Sequence, residues 1–161
     1  MKLEMKWVAV VFILHILWLI GERTFGFFGN RIRHEDLINM AFYVLYAGVM
    51  FLAVADLKSR NNGFLNRRQG FLSSLFISLI LVALAPIMVG ILMFAIQPDF
   101  FNVMIMSATE RGEYSAYDAA IQEYNYWSYV KTFMAGYLLA GSLSGALWSF
   151  LLHKMPEPVS D

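Results

Sequence analysis

The sequence predicts an all-α integral membrane protein with four transmembrane helices and a short outer helical segment between helices 3 and 4. Of its 161 residues, 59% are hydrophobic and 15% are charged, and the mean hydropathy is +0.57. A soluble domain has roughly 45–50% apolar and about 25% charged residues. Four apolar stretches also reach the roughly 20 residues that a helix needs to cross a bilayer.

Each apolar stretch must be helical, because a helix satisfies its own backbone hydrogen bonds where no water is present. No repeat or linker divides the chain, so residues 1–161 are predicted to form a single four-span membrane domain. The predicted spans are residues 7–25, 37–57, 70–96 and 126–152, and the outer segment is 97–125.

The outer segment begins where Pro98 ends the third helix. Its first half, residues 100–106, is too apolar for free solvent, which predicts that it lies along the membrane interface. Gly112 is expected to end this piece, and a short helix up to Asn125 follows. The tyrosines and Trp127 near its end are typical of an aromatic belt at the membrane surface.

Basic residues predict the orientation of the chain. The link at 58–69 carries four basic residues and no acidic one, whereas 97–125 carries Arg111 against five acidic residues. Because loops rich in Lys and Arg stay in the cytoplasm, both termini and the 58–69 link are expected on the cytoplasmic side of the membrane. The three arginines of the first link oppose this assignment, since acidic neighbours count little in the rule.

Several function classes receive no support from the sequence. The chain has no cysteine, and its twelve basic and twelve acidic residues cancel, so neither thiolate chemistry nor nucleic-acid binding is predicted. It contains no P-loop, nucleophile elbow or paired-histidine metal motif. We therefore predict no catalytic residue, no cofactor and no metal, and a protein that is not an enzyme.

The fourth span carries two stripes of small residues, each with a spacing of four. Such stripes let helix backbones approach closely inside a membrane. The predicted packing face includes Gly136, Ala140 and Ser144 in one stripe and Gly141, Gly145 and Ser149 in the other. Its partner could be another span of this chain, a second copy or a different protein.

The third span combines a small polar face with a proline. Its 27 residues exceed what a vertical crossing needs, so a tilt or bend is expected. Pro86 predicts a kink. Gly70, Ser74 and Ser78 form the small face before it. The kinked span could line a cavity or could be purely structural.

Two ionisable residues share one face of the first span. His15 lies near its middle, and Glu22 follows seven positions later toward the outer surface. Because ionisable groups are costly in a bilayer, they are candidates for a proton relay. The alternative is a neutral His15 bonded to a Ser, a Tyr or a backbone carbonyl of another span, with Glu22 paired to an Arg.

A cluster of charges is predicted at the outer surface after the first span. Arg23, Arg31 and Arg33 are its basic members. Their guanidinium groups suit an anionic headgroup, because the planar fork matches phosphate oxygens. A self-neutralising network with nearby acidic residues is the other interpretation.

The sequence also resembles a known bacterial membrane family, catalogued as domain of unknown function 4199. The resemblance covers about residues 7–152, and it begins at Trp18-Leu19-Ile20-Gly21-Glu22-Arg23 and continues at Arg67-Arg68-Gln69-Gly70-Phe71. Its most specific stretch is Ile96-Gln97-Pro98-Asp99-Phe100-Phe101. The resemblance implies a four-span inner-membrane protein, and it implies no activity, cofactor or catalytic residue.

The function expected from these observations is that of a non-enzymatic multi-pass inner-membrane protein acting as a subunit, scaffold or assembly partner. Its partners would be the lipid bilayer and either a second copy or another membrane protein, with no nucleic acid. The alternative is a small oligomeric transporter or channel subunit in which His15 and Glu22 line a proton or solute path. A membrane enzyme or binder of a lipid-linked substrate, which would use the outer arginine cluster and the tyrosines, is a third hypothesis.

Overall fold

The structure is a computed structural model that describes residues 2–28, 35–113 and 117–154, with only the backbone described for Glu35, Asp36 and Lys154. Its long helices are α1 (Lys2–Thr24), α2 (Glu35–Arg60), α3 (Arg67–Ile91) and α6 (Tyr126–Lys154). A π-helical turn, Leu92–Ile96, extends α3, and two short helices, α4 (Phe100–Glu110) and α5 (Tyr117–Glu123), precede α6. The predicted all-α fold is confirmed.

Four helices of the described chain are long and apolar enough to cross a membrane. They cover Lys2–Thr24, Leu37–Arg60, Arg67–Ile96 and Tyr126–His153, and the third contains the most apolar stretch. Each overlaps one predicted span and extends beyond it at one end. The 30 residues of the third helix would measure about 45 Å, more than the roughly 30 Å of a bilayer core.

The bundle is held mainly by the packing of α3 on α6, with α2 against α6 and α1 against both α2 and α3. The central cluster of buried side chains includes His15 together with aromatic residues of α2 and α6. Lipid-facing positions carry exposed apolar side chains such as Val44, Leu139 and Leu143. This distribution is what a bundle surrounded by hydrocarbon requires.

The two ends of the bundle differ in charge, and we name them accordingly. The basic end carries the loop between α2 and α3, residues 61–66, and the acidic end carries α4 and α5. At the basic end, Asp56 of α2 accepts hydrogen bonds from Lys6 Nζ at 2.8 Å and Trp7 Nε1 at 3.1 Å, which fasten α1 to α2. Arg60 Nε donates to the same carboxylate at 3.0 Å.

The end of α1 turns sharply because Gly26 has a positive φ of 76°. The amide of Phe27 donates to the carbonyl of Glu22 at 2.9 Å, and the amide of Gly26 donates to the carbonyl of Arg23 at 3.1 Å. These two bonds form a Schellman cap, which needs a left-handed residue. The turn brings Phe28 back onto the bundle, where it is buried.

Candidate functional site

His15 is the central polar residue of the core, and its side chain is 1% exposed. Its ring stacks on Phe42 of α2 with centroids 4.0 Å apart and lies 4.9 Å from the ring of Phe133 of α6. Its Nδ1 is hydrogen-bonded to the hydroxyl of Tyr137 in α6. A single imidazole therefore ties α1 to both α2 and α6.

A second group of buried hydroxyls joins α2 to α3. Ser78 Oγ donates to the carbonyl of Ser74 at 2.9 Å, so its one proton is committed there. The hydroxyl of Tyr46, 3.0 Å away, therefore donates to Ser78 Oγ. Ser74 Oγ in turn donates to the carbonyl of Gly70 at 3.1 Å. The group thus ends on backbone carbonyls, which accept a hydrogen bond but carry no proton to pass on.

The small residues of α6 lie against the small face of α3. A Cβ on Gly141 would overlap Ser78 Oγ, and one on Gly145 would overlap the side chain of Ser74. One turn further, a Cβ on Gly70 would lie 2.5 Å from Ser149 Oγ. The three pairs follow one another at intervals of four residues and in opposite chain directions. We call this contact the α3–α6 interface.

The other stripe of α6 also has partners inside the chain. A Cβ on Gly136 would overlap the ring of Tyr43 in α2. Ala140 packs against the central cluster, and Ser144 Oγ donates to the carbonyl of Ala140 at 2.5 Å. The predicted packing face is thus occupied by α2 and α3 of the same chain.

Pro86 lies inside α3 near the acidic end. Its carbonyl accepts a hydrogen bond of 2.9 Å from the hydroxyl of Tyr126 in the first turn of α6. Beyond it, the wider turn Leu92–Ile96 closes with the amide of Gln97 donating to the carbonyl of Leu92 at 2.7 Å. The kink at Pro86 stays a prediction. The hydrogen bond to the Pro86 carbonyl joins α3 to the first turn of α6.

Glu22 is 3% exposed on the face of α1 that also carries His15. Its Oε1 accepts a hydrogen bond of 2.6 Å from Trp18 Nε1, one turn earlier. The structure therefore gives His15 and Glu22 different partners, Tyr137 and Trp18. Glu22 also lines a cavity of about 320 Å³ beside α1, together with Trp18, Gly21 and Ile38. We call this cavity the α1 groove.

The predicted arginine cluster is described only in part. Arg23 is exposed in the last turn of α1. Arg31 and Arg33 lie outside the described residues, so the cluster stays a prediction. Across residues 2–28, 35–113 and 117–154, no three His, Cys, Asp or Glu side chains are grouped as metal ligands would be.

Sequence reasoning did not identify Tyr46 and Tyr137 as members of the polar core. The available signal was their position, because both lie deep within a span and far from the interface where tyrosine is usual. A buried tyrosine hydroxyl needs a hydrogen-bond partner, and the serines and histidine of neighbouring spans are the natural candidates.

The fold and the buried polar core together define a multi-pass helical membrane protein. Residues 6–154 match the family described as "Protein of unknown function (DUF4199)", and the chain belongs to that family. The resemblance inferred from the sequence motifs is thereby confirmed. Neither a curated protein nor a solved structure matches the chain.

Proposed function

We propose that the protein is a non-enzymatic membrane subunit that presents its outer cap, α4 and α5, as a contact surface for another protein chain. The observation that carries this proposal is the exposed apolar side of α5 on a cap whose other side is packed on the bundle. The interior supports it as well, because Ser74 and Ser78 of the α3–α6 interface donate to backbone carbonyls and the glycines of α6 pack against α2 and α3 of the same chain.

The packing of α4 on the bundle rests on aromatic contacts. Phe100 is fully buried, with its ring 5.1 Å from that of Phe28 and 5.0 Å from that of Tyr129, both edge-on. At the other end, Gly112 adopts a φ of 70°, and the amide of Glu113 donates to the carbonyl of Ala108 at 3.1 Å. The Phe100 end thus fastens α4 to the bundle, and α5 packs against α4.

The free side of α5 combines apolar and acidic groups. Tyr117 and Ile121, one turn apart, are 49% and 42% exposed. Asp118 and Glu123 are exposed on the same short helix. Apolar side chains flanked by acidic ones suit a partner surface that offers an apolar contact bordered by Lys or Arg.

The test is native mass spectrometry of the protein extracted gently from its own membrane. We expect a complex of defined stoichiometry, whose mass tells a second copy from a different protein. In the double variant Tyr117→Ser/Ile121→Ser, the amount of this complex should fall at least tenfold. The matched control is Leu143→Ala, a lipid-facing position on α6 that is 71% exposed.

A monomer in the wild type would overturn the proposal. Equal loss in the Leu143→Ala control would also do so, because the contact would then lie along the lipid-facing helices. Retention of the complex in the double variant would show that α5 is not part of the interface.

Transport through His15 is the weaker proposal. The imidazole is enclosed by Phe42, Phe133 and Tyr137, and the next hydroxyls, those of Tyr46 and Ser78, end on backbone carbonyls. This geometry favours a structural role for His15. Proton flux into liposomes that is lost in His15→Phe, with the fold retained, would support transport instead.

A further inference from the structure

We propose that Arg67 and Arg68, at the basic end of the bundle, bind the phosphate of an anionic phospholipid whose acyl chain lies along the outer face of α3. This site does not depend on the contact surface of the outer cap, which belongs to the acidic end. Both arginines are exposed in the first turn of α3. Within residues 2–28, 35–113 and 117–154, neither guanidinium group makes a hydrogen bond or an ion pair.

Other cations of the basic end are already engaged, which sets the two arginines apart. Lys6 and Arg60 are bonded to the carboxylate of Asp56, and Lys58 Nζ donates to the carbonyl of Leu152 at 3.0 Å. Positive charge in the first turn also opposes the dipole of α3, so arginines at these positions do not serve to stabilise the helix. Their two charges therefore call for an anion that the described part of the chain does not supply.

Arg67 is held in a position that suits a phosphate group. Its Cζ lies 4.8 Å from the centre of the Phe150 ring of α6, which is a cation–π contact. The contact uses the face of the planar guanidinium group and leaves the N–H donors at its edge for an acceptor. Two phosphate oxygens match that fork of donors. Because Phe150 restrains the side chain, less conformational freedom is lost when the phosphate binds.

The face of α3 beneath Arg68 offers a surface for the lipid chain. Arg68, Leu72, Leu75 and Leu79 follow one another at intervals of three and four residues and so share one side of the helix. Leu72 and Leu79 are each 48% exposed. From Arg68 to Leu79 the helix rises about 16 Å, roughly half of the 30 Å hydrocarbon core. A lipid held by its phosphate at Arg68 can therefore lay one acyl chain along this face within its own leaflet.

The loop before α3 supports a position of this end among lipid head groups. Leu65 is buried, and its carbonyl accepts a hydrogen bond of 2.7 Å from His153 Nδ1 of α6. Its neighbour Phe64 is 79% exposed, so the loop holds a large apolar ring outward. Such a ring is unfavourable in water and favourable at the boundary between head groups and hydrocarbon. The arginines that follow Phe64 in sequence then meet the phosphate layer.

The charge of the two arginines selects the head group. In a zwitterionic lipid such as phosphatidylcholine, an ammonium group neutralises the phosphate and repels a guanidinium group. Phosphatidylglycerol offers the same phosphate without that cation. Each Lys or Arg near the membrane surface adds to the attraction for anionic lipid. The site should therefore prefer phosphatidylglycerol.

The test is native mass spectrometry of the full chain in detergent micelles, titrated with phosphatidylglycerol or with phosphatidylcholine of identical acyl chains. We expect the first phosphatidylglycerol to bind at least about tenfold more tightly than phosphatidylcholine. The variant Arg67→Gln/Arg68→Gln should abolish this preference. The matched control is Lys2→Gln/Arg60→Gln, which removes two exposed cations from the same end and should retain the preference.

Two further measurements separate the contributions of the guanidinium group and of the acyl chain. Arg67→Lys keeps the charge but loses both the planar fork and its stacking on Phe150, so the affinity for phosphatidylglycerol should fall about threefold. Glycerol phosphate carries a phosphate without acyl chains. A large excess of it should leave the bound lipid in place, because the chain contact along α3 is missing.

Equal affinities of the wild type for the two lipids would overturn the proposal. An equal loss in the Lys2→Gln/Arg60→Gln control would also do so, because the attraction would then belong to the charge of the whole end. Displacement by glycerol phosphate would identify a free phosphate as the ligand and would overturn the lipid site. So would the loss of a bound protein, with lipid binding unchanged, in Arg67→Gln/Arg68→Gln extracted from its own membrane.

A thermal melt of each variant checks that the fold is retained. Both arginines are exposed, so the melt should be close to that of the wild type. If the double variant is unstable, Arg68→Gln alone decides the question. Its preference for phosphatidylglycerol should be clearly smaller than that of the wild type, and an unchanged preference would overturn the proposal.

Discussion

Gly145 of α6 packs so closely on Ser74 of α3 that a single methyl group at Gly145 would overlap the serine side chain. Alanine at this position forces the two helices apart or distorts Ser74. Overpacking of this kind costs about 1–3 kcal/mol. We expect Gly145→Ala to lower the free energy of unfolding by that amount, measured by denaturation in mixed micelles.

Gly48→Ala is the control, because nothing lies within 4 Å of its Cβ position and alanine favours the helix by up to about 1 kcal/mol. Removing the serine side chain in Ser74→Gly should recover part of the loss, and the coupling between the two sites should reach at least about 0.5 kcal/mol. Additive effects would show that the two residues are not in contact.

The hydrogen bond between His15 and Tyr137 should contribute to stability as a buried pair. Tyr137→Phe leaves His15 Nδ1 without its partner, so we expect a loss of about 1–2 kcal/mol in the free energy of unfolding. In His15→Phe/Tyr137→Phe both polar groups are gone, and a phenyl ring can stack on Phe42 in place of the imidazole. The double variant should therefore be more stable than Tyr137→Phe.

Tyr117→Phe provides the control for the loss of a hydroxyl, since Tyr117 is half-exposed on α5. A loss there equal to that of Tyr137→Phe would show that the effect does not come from the buried pair.

Asp56 should hold the basic ends of α1 and α2 together through Lys6 and Trp7. Asp56→Asn removes the charge, so we expect a broader distance distribution between the two helices. Because the chain has no cysteine, spin labels on Lys2→Cys and Ser59→Cys report this distance without background. Electron paramagnetic resonance measures it.

Arg68→Gln is the control, because Arg68 is exposed at the same end of the bundle and its side chain is not part of the Asp56 cluster. High salt should broaden the wild-type distribution as well, since Lys6 is about half-exposed and its attraction to Asp56 is screened. An unchanged distribution in Asp56→Asn would contradict the prediction.

Outside the membrane spans, Arg111 should control the titration of Glu113. Its Nε and a terminal nitrogen donate to the two carboxylate oxygens at 2.6 Å and 3.0 Å, which lowers the pKa of Glu113 below its ordinary 4.5. The contribution of this pair is therefore present above about pH 4.5, and it is lost as the pH falls through the lower pKa of the folded state.

We expect Arg111→Gln to return the pKa of Glu113 toward 4.5, measured by NMR of its carboxyl carbon. The rise should come mainly from the lost hydrogen bonds and charge of the guanidinium. A pKa of Glu113 that is the same in Arg111→Gln and in the wild type would show that the pair does not form in solution.

The helices could be predicted from the sequence because membrane-spanning hydropathy is a local property of about 20 residues. The limits of the segment that forms α4 could be predicted as well, since Pro98 ends the third helix before it and Gly112 permits the positive φ that closes it. The partners of each face could not be predicted in this way. The rotation of one helix against another depends on shape along its whole length, and no single residue encodes it.

The two stripes of α6 illustrate that limit. Their spacing predicted close packing, yet one stripe meets α2 at Tyr43 and the other meets α3 at Ser74 and Ser78. Likewise, a bond from His15 to some tyrosine was among the alternatives, but its partner Tyr137 is 122 residues away. No local sequence pattern predicts the α1 groove, because it forms between α1, the turn after it and Ile38 of α2.

The serines of the α3–α6 interface also bear on how the chain is made. During translation α3 is synthesised well before α6. The small face of α3 is therefore exposed to lipid until α6 packs against it. Ser74 and Ser78 each donate to a carbonyl four residues earlier in α3 itself. Their hydroxyls are therefore satisfied before α6 is synthesised, and α3 can enter the bilayer as an independent span. The face that later accepts Gly141 and Gly145 is polar in composition and yet compatible with hydrocarbon throughout biogenesis.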